Sequence, residues 1–433
     1  MLTRSPVLGS VKSRIADELG AEAALALHRE LTEHVVKRAR AIELSGAVDL
    51  EIRLADGSAA DGRSWLGSGI EVRAQCEGTL GDRLAEAVRV SVSEGAPAAI
   101  VIGSDCADVG GAIVRNTITG LARAPIVLGP AEDGGYYLLA VRADVAEPAT
   151  TALFEHIPWG TSAVLAVTLG RLSALGITPE LLPTLADIDR PADAKRWEAR
   201  RRAERTTEPR TSMVIPALDE EDAIVRAVES ARTAGAHEVI VADGGSTDAT
   251  VVRAESAGAT VVHTPRGRAR QLNAGAARAS GDVLLFLHAD TVLPPTACAQ
   301  VTHAMEGPGA VGGAFGYSAG SETDRLDRLI SAIGRFRYSV FRLPYGDQAI
   351  FVRRSVFEDL GGFPELPVME DYEFALRLRR LGHLVRTPGA IRTSTREWRE
   401  RGLLSATARD MATIAGYRLG VDPARLARWR NAR

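Results

Sequence analysis

The chain has 433 residues, of which 45% are hydrophobic and 25% charged, and its formal net charge is −3. This length exceeds one ordinary domain and fits two of about 200 residues each. The composition excludes wholesale disorder, and the near-neutral charge excludes the global basic field of a general nucleic-acid binder. The three cysteines lie far apart without a CxxC spacing, which excludes a disulfide framework and a cysteine zinc site.

The first half of the chain alternates helix and strand patterns. Apolar residues recur every four positions within 24–38 and predict a helix, while short apolar runs at 98–103 and 125–128 predict strands. Alternation of this kind indicates a parallel sheet covered by helices.

A charged stretch poor in aliphatic residues, 196–210, divides the chain. It is typical of a helix tail that runs into a linker, which we place at 201–210. A strand at 213–216, a helix capped by Asp219 and a strand at 238–242 then repeat the alternation.

The two halves also share a local feature, an apolar strand that runs directly into an acidic residue. The strand 100–102 leads to Asp105, and the strand 284–287 leads to Asp290. Since ligands bind at the carboxyl ends of parallel strands, a carboxylate there is well placed to hold a metal ion. We therefore predict two Rossmann-like α/β domains with mostly parallel sheets, one over 1–200 and one over 211–433.

Four segments of the second half carry candidate chemistry: IPALDEE at 215–221, VADGGSTD at 241–248, HAD at 288–290 and MEDYE at 369–373. Asp243 can accept hydrogen bonds from a base or ribose. Asp290 offers a hard oxygen to Mg²⁺ or Mn²⁺, which neutralises a diphosphate leaving group. Asp371 can deprotonate an acceptor hydroxyl, a contribution of about 10²–10⁴ in rate. Each segment alone is more often a turn or a helix cap.

In their order and context, and together with YGDQAIFVRR at 345–354, these segments resemble the inverting family-2 glycosyltransferases of GT-A fold. The resemblance extends over nearly all of 211–433, within the bacterial subgroup labelled selenodomain-associated or arsenosugar-biosynthesis. It implies that Asp371 is the general base and that Asp290 binds the metal, with His288 in place of a further carboxylate. The implied substrate-binding residues are Pro216, Ala217, Glu220, Asp243, Arg268, Gln348, Glu370, Arg396 and Trp398. For Arg268 a solvated basic loop, and for Trp398 a core position, are open alternatives.

The first half carries GSVKSR at 9–14, GSDC at 103–106, GPAEDGGYY at 129–137, PWGT at 158–161 and DID at 187–189. Over about 1–195 it resembles the selenodomain-associated transferase 1 family, a GT-A-like group related to sugar-phosphate and phospholactate nucleotidyltransferases. Lys12 and Arg14 can then meet triphosphate charge, although an exposed helix start explains them equally well. Asp133 lies in a turn that approaches a ligand, and Asp105 with Asp187 or Asp189 can hold Mg²⁺.

Members of that family begin with an apolar strand before the basic loop, whereas this chain begins at Met1 with only Leu2 and Thr3 before Arg4. Either the true start of the chain lies upstream of Met1, or the first domain lacks its first strand. A missing inner strand would leave the neighbouring strand edges unpaired and the basic loop poorly supported.

The function that these patterns predict is transfer of a sugar from a nucleotide-sugar donor to a small-molecule or lipid-linked acceptor, with no nucleic-acid partner. The alternatives are a nucleotidyltransferase activity of the first half, or a first half that is a non-catalytic scaffold. Apolar runs are strand-sized, so we expect a cytoplasmic protein. Basic and apolar stretches at 324–342 and 392–433 either contact the inner membrane face peripherally or close the acceptor side of the site.

Overall fold

A computed structural model describes residues 1–307, 309–319, 329, 332, 343–344, 346–394 and 402–431. The chain divides into two compact units, Met1–Glu204 and Arg205–Arg433. A helix occupies Pro191–Thr206, so it extends into the stretch 201–210 that the sequence assigns to a linker.

The N-terminal unit is a mixed α/β structure. Its strands are β1 (Leu2–Arg4), β2 (Glu51–Ala55), β3 (Glu71–Ala74), β4 (Ala98–Ile102), β5 (Ile126–Pro130), β6 (Tyr136–Arg142) and β7 (Glu180–Leu181). Its helices are α1 (Ser13–Leu19), α2 (Ala21–Leu44), α3 (Ala59–Leu66), α4 (Leu80–Ser93), α5 (Gly111–Leu121), α6 (Ala143–Phe154), α7 (Val164–Ala174) and α8 (Pro191–Thr206). The predicted helix within 24–38 and the predicted strands at 98–103 and 125–128 are confirmed, the last displaced by one or two residues.

The strands of this unit form two sheets, ordered β1-β2-β3 and β4-β6-β5-β7. The first is parallel, whereas β6 runs antiparallel to both of its neighbours. The hydroxyl of Thr3 in β1 donates a hydrogen bond of 3.1 Å to the hydroxyl of Ser104, just beyond β4. The carboxyl ends of β1 and β4 therefore lie together.

The prediction of a missing first strand is wrong. Residues Leu2–Arg4 form β1 and pair in parallel with β2, in the register Leu2 to Arg53. The strand is only three residues long and includes a threonine and an arginine, so it lacks the apolar run that marks the other strands. It nevertheless gives β2 a partner and supports the loop that follows.

The C-terminal unit is organised around one eight-stranded sheet, ordered β10-β9-β8-β11-β14-β13-β15-β12. Its strands are β8 (Thr211–Ala217), β9 (Glu238–Asp243), β10 (Thr260–His263), β11 (Val283–Phe286), β12 (Thr291–Val292), β13 (Ala310–Ala319), β14 (Phe351–Arg353) and β15 (His383–Thr393). Its helices are α9 (Ile224–Thr233), α10 (Thr250–Ser256), α11 (Arg268–Arg278), α12 (Ala297–Glu306), α13 (Arg354–Asp359), α14 (Glu370–Leu381), α15 (Leu403–Arg418) and α16 (Pro423–Asn431).

Helices cover both faces of this sheet, as the apolar strands require. Met213 and Ile215 of β8 share one core cluster with Val228 of α9. On the opposite face, Val214 lies so close to Gly275 of α11 that a Cβ at Gly275 would be 2.4 Å from a Val214 methyl group. The alternation of β8 side chains therefore places it at the centre of the unit.

Asp219 does not cap α9, contrary to the sequence prediction, because that helix begins only at Ile224. Asp219 instead has a left-handed backbone, with φ 52°, and its carboxylate accepts a hydrogen bond of 2.8 Å from the backbone N–H of Thr247. It joins the loops that follow β8 and β9.

The two units repeat one strand order. In the N-terminal unit the two sheets, taken one after the other, have the strand order β3-β2-β1 and β4-β6-β5-β7. If the short strand β12 is left out and the other strands of the C-terminal unit are numbered from one in chain order, its sheet has the same order: three, two, one, four, six, five, seven. In both units the α/β architecture with mostly parallel sheets agrees with the sequence prediction. Within the described ranges, no helix combines the length and the hydropathy that crossing a bilayer requires.

Candidate active site

A cavity lies at the carboxyl end of β11 in the C-terminal unit. Its polar lining comes from Arg268, His288, Gly346 and Asp371, which belong to four separate segments. Its apolar lining is formed by Leu272, Phe286, Leu287, Ile350 and Phe363. The structure thus brings the predicted base, Asp371, to the predicted arginine, Arg268.

Asp371 is the second residue of α14 and is held from two sides. One oxygen, Oδ2, accepts a hydrogen bond of 2.6 Å from the backbone N–H of Gly346, and Oδ1 accepts one of 2.8 Å from the N–H of Tyr372. A Cβ at Gly346 would lie 2.5 Å from Asp371 Oδ2 and 2.6 Å from Arg268 Nη2. Only glycine therefore lets this backbone pass between the carboxylate and the guanidinium.

Arg268 begins α11 and is fixed by two partners. Its Nε lies 3.1 Å from Glu370 Oε1, and its Nη2 donates to Nε2 of His288. Burial and the neighbouring guanidinium hold the pKa of His288 well below its usual range, so the imidazole is neutral. Arg270, two residues further along the same helix, pairs instead with Glu365 at 3.0 Å.

Glu370 lies beside the catalytic candidate but is only 6% exposed. Burial, and next the charge of Asp371, raise the pKa of Glu370, while Arg268 opposes them. Glu370 makes an ion pair with Arg268 that the sequence did not predict, and this ion pair orients the guanidinium.

An aromatic cluster forms the floor of the cavity. The ring of Phe363 packs 4.8 Å from that of Phe286 and 4.4 Å from that of Phe374. Asn273 of α11 holds the backbone of Phe363 at both ends, donating to its C=O at 2.8 Å and accepting from its N–H at 2.9 Å. Sequence reasoning missed Asn273; its signal was an amide side chain on the helix that also carries Arg268.

Asp243 ends β9 and is buried in the turn that follows. Its Oδ1 accepts from the hydroxyl of Ser246 at 2.5 Å, and its Oδ2 accepts from the N–H of Gly245 at 3.0 Å. Burial acts to raise the pKa of Asp243, but these hydrogen bonds outweigh it and lower the pKa. His263, at the end of β10, lies 3.4 Å from the same carboxylate and is largely exposed. Asp243 thus shapes the turn, and His263 is the accessible side chain beside it.

Gln271 of α11, another residue that sequence reasoning missed, joins the ends of β8 and β9. Its Nε2 donates to the C=O of Ala217 at 2.8 Å and to that of Ala242 at 3.0 Å. Pro216 is half-buried next to Ala217 in β8, and the N–H of Glu220 donates to the Thr250 hydroxyl at 2.8 Å. The predicted nucleotide-binding residues therefore share the carboxyl edge of the sheet.

Asp290 follows β11 at the same edge and is half-buried. Within the described ranges, no group of three or more His, Cys, Asp or Glu side chains is arranged to hold a metal ion. A metal ion held by Asp290 would need its remaining oxygen ligands from a bound diphosphate. Gln348 is buried and lies in the chain between Gly346 and Ile350, which line the cavity. The predicted residues Arg396 and Trp398 lie outside the described residues.

In the N-terminal unit the predicted phosphate ligand and metal ligands contact each other. The ammonium of Lys12 is 2.6 Å from Asp105 Oδ1, 3.1 Å from Asp189 Oδ1 and 2.6 Å from the C=O of Ile188. Burial acts to lower the pKa of Lys12, but the two carboxylates outweigh it and raise the pKa. With its side chain 4% exposed, Lys12 is neither a solvated helix start nor open to a triphosphate. Its ammonium occupies the position between the carboxylates that the sequence assigned to Mg²⁺.

Beside this cluster lies a pocket of about 480 Å³. The sequence-predicted residues Arg14 and Asp133 both line it, together with Gly160, Thr161, Ser162 and Arg190. Arg190 and Ser162 were not predicted, although the motifs PWGT and DID adjoin them.

Comparisons with known proteins give a separate match for each of the two units. Residues 212–361 match the family described as glycosyl transferase family 2. Residues 38–161 match a family described as uncharacterized proteins conserved in bacteria (DUF2064). The two-part resemblance drawn from the sequence is confirmed.

An uncharacterized glycosyltransferase of Mycobacterium tuberculosis is 31% identical over 186 residues, which cover 40% of this chain and 70% of that protein. Glucosyl-3-phosphoglycerate synthase of Mycolicibacterium paratuberculosis is 37% identical over 95 residues, covering 19% of this chain and 29% of that protein. A crystal structure of the Mycobacterium tuberculosis synthase, in complex with Mn²⁺, uridine diphosphate and phosphoglyceric acid, is 22% identical with a TM-score of 0.36. That similarity covers 50% of this chain and 81% of the synthase.

Proposed function

Because the chain belongs to the family-2 glycosyltransferases, we propose that its C-terminal unit transfers a sugar from a nucleotide-diphosphate sugar to an acceptor hydroxyl, or another nucleophile, with inversion. The observation that carries this proposal is the cavity in which Asp371 and Arg268 meet. It lies at the sheet edge that also carries the turn of Asp243 and the carboxylate of Asp290.

The proposed reaction is a single displacement. Asp371 takes the proton of the acceptor hydroxyl as its oxygen attacks the anomeric carbon, and the bond from that carbon to the diphosphate oxygen breaks. The N–H of Gly346, 2.6 Å from Oδ2, fixes the carboxylate for this step. Attack opposite the leaving group inverts the anomeric configuration.

Positive charge near the leaving diphosphate comes from two sources. Arg268, oriented by Glu370 and the neutral His288, supplies one guanidinium. Asp290 would hold Mg²⁺ or Mn²⁺, which supplies charge neutralisation on the diphosphate when bound. The turn organised by Asp243 would receive the nucleoside.

A release assay tests this proposal. Full-length protein with Mn²⁺ or Mg²⁺ is given a panel of nucleotide sugars, and nucleoside diphosphate is quantified beside the Asp290→Ala and Asp371→Asn variants. Release above the blank that both variants lose supports transfer, and the anomeric configuration of the product, read by NMR, tests inversion. If no member of the panel gives release and none binds by calorimetry, the proposed nucleotide-sugar donor is refuted.

The acceptor is a small molecule or a lipid-linked one, and we place the reaction in the cytoplasm. The helices α15 and α16 carry several arginines, among them Arg425 and Arg428, which suit peripheral contact with anionic lipid at the inner membrane face. Co-sedimentation with anionic vesicles at physiological salt tests this contact, and its absence would leave the small-molecule acceptor.

A further inference from the structure

The pocket of the N-terminal unit is lined by two arginines whose guanidinium groups have no partner among the residues that the structure describes. Arg14 and Arg190 both face it, and within the described ranges neither guanidinium takes part in a hydrogen bond or an ion pair. The lining contains one carboxylate, that of Asp133, which accepts a hydrogen bond of 2.8 Å from the N–H of Gly135. The lining therefore has a net positive charge and two donor groups without an acceptor.

Both arginine side chains are exposed, but the contacts of the buried Lys12 side chain hold the backbones that carry them. Arg14 comes two residues after Lys12, and Arg190 comes directly after Asp189, the residue that Lys12 contacts at 3.1 Å. The Lys12 ammonium thus fastens the loop after β1 to the segment that precedes α8. The backbones that carry both arginines are set before any ligand arrives, which lowers the ordering cost of binding.

The opposite wall is equally well defined. A Cβ at Gly134 would lie 2.2 Å from the C=O of Ser162, so the turn of Asp133 packs directly on the segment 160–162. The N–H of Leu165 donates to the C=O of Gly134 at 2.9 Å and joins the same two segments. The hydroxyl of Ser162 has no hydrogen-bond partner among the described residues, and α7 begins two residues later with no acidic side chain in its first turn.

These features select an anionic ligand. Guanidinium groups bind phosphate through paired N–H donors, and the first turn of α7 adds the positive end of its dipole. Asp133 offers an acceptor for a hydroxyl group of the same ligand. A divalent metal between Asp105 and Asp189 would have to displace the Lys12 ammonium, which contacts both carboxylates.

We propose that this pocket binds a small phosphomonoester that carries hydroxyl groups, and that Arg14 and Arg190, rather than a divalent metal, supply the positive charge. The site is separate from the sugar-transfer cavity, and the proposal is independent of sugar transfer.

Calorimetric titration of the full-length protein tests it, with glycerol 3-phosphate, inorganic phosphate and glycerol as probes, each in EDTA and in MgCl₂. We expect glycerol 3-phosphate to bind more tightly than inorganic phosphate, glycerol not to bind, and EDTA to leave the affinity unchanged. Arg14→Gln and Arg190→Gln should each weaken glycerol 3-phosphate binding about tenfold or more.

The matched control is Arg63→Gln, an exposed arginine in the last turn of α3 that does not line the pocket. It should leave the affinity unchanged, and thermal melts should show all three variants folded. The proposal is overturned if glycerol 3-phosphate does not bind at millimolar concentration. It is also overturned if binding requires Mg²⁺, or if it survives both pocket substitutions.

Discussion

The two halves of the chain share a strand order but differ in what faces the end of the fourth strand. In the N-terminal unit, Asp105 after β4 is neutralised by Lys12 at 2.6 Å, a residue of the same unit. In the C-terminal unit, Asp290 follows β11 while the nearby cation, Arg268, is engaged by Glu370 and His288. One topology thus produces the same sheet edge twice, and in the N-terminal unit Lys12, a single side chain from another loop, neutralises the carboxylate at that edge.

The largest effect that follows from this contrast is on sugar transfer. Asp371→Asn should lower the rate about 10²–10⁴-fold, because an amide cannot accept the acceptor's proton. Asp105→Asn, at the corresponding edge of the other half, should leave the rate within a factor of about two if the halves divide as described. Steady-state release of nucleoside diphosphate measures both, and equal losses in the two variants would contradict the division.

A second effect concerns the close approach at Gly346. The methyl group added by Gly346→Ala would lie only 2.5 Å from Asp371 Oδ2, so the carboxylate or Arg268 must move. We expect a loss of about tenfold or more in transfer, since small displacements of a catalytic group cost about that much or more. In the control Gly307→Ala, the nearest atom to the new Cβ is 3.5 Å away and the rate should not change. Equal rates for wild type and Gly346→Ala would show that the apposition has no bearing on transfer.

Lys12 should matter for stability rather than for transfer. Lys12→Met leaves Asp105 and Asp189 facing each other, and because those side chains are 44% and 41% exposed, we expect a loss of about 2 kcal/mol. That corresponds to a fall of about 4–8 °C in the melting temperature of the N-terminal unit by calorimetry. Lys195→Met, which breaks an exposed pair with Glu18, is the control and should change the melting temperature little. If Lys12→Met has the same melting temperature as the wild type, the Lys12 ammonium does not stabilise the fold and the prediction is wrong.

The smallest effect is a pH dependence of the same acidic cluster. Burial, and next the charge of Asp105, raise the pKa of Asp187 to about 7. A carboxyl group whose folded pKa is raised stabilises the fold while it is protonated, so this contribution declines between about pH 4 and pH 7. Asp187→Asn should therefore melt higher than the wild type by about 2 °C or more at pH 8, with little difference at pH 4. A difference that does not grow with pH would contradict the raised pKa.

Much of the fold was predictable because it depends on local patterns. The apolar runs of β4, β8 and β11 and the amphipathic spacing of α2 fixed these elements from the residues alone. The exceptions, β1 and the start of α9, are places where pairing or a loop contact outweighs local sequence. Leu2–Arg4 is a strand because β2 is beside it, and Asp219 is drawn to Thr247 rather than to a helix.

The site was predictable in its members but not in its contacts. Asp371 and Arg268 were expected to bind or react separately, and their convergence around Gly346 depends on four segments distant in sequence. Asn273 and Gln271 were missed because their partners are backbone atoms, which carry no residue-specific signal. The ion pairs of Lys12 were missed for a related reason, since Lys12 and Asp189 lie 177 positions apart.

The measurement that tests the contrast between the halves most directly is the binding of Mn²⁺, monitored by electron paramagnetic resonance. It uses the full-length protein together with the nucleoside diphosphate that the release assay identifies. The account predicts that Asp290→Ala abolishes the bound Mn²⁺ signal and that Asp105→Asn leaves it unchanged. Bound Mn²⁺ that survives Asp290→Ala but disappears in Asp105→Asn would place the metal in the N-terminal unit and contradict the account.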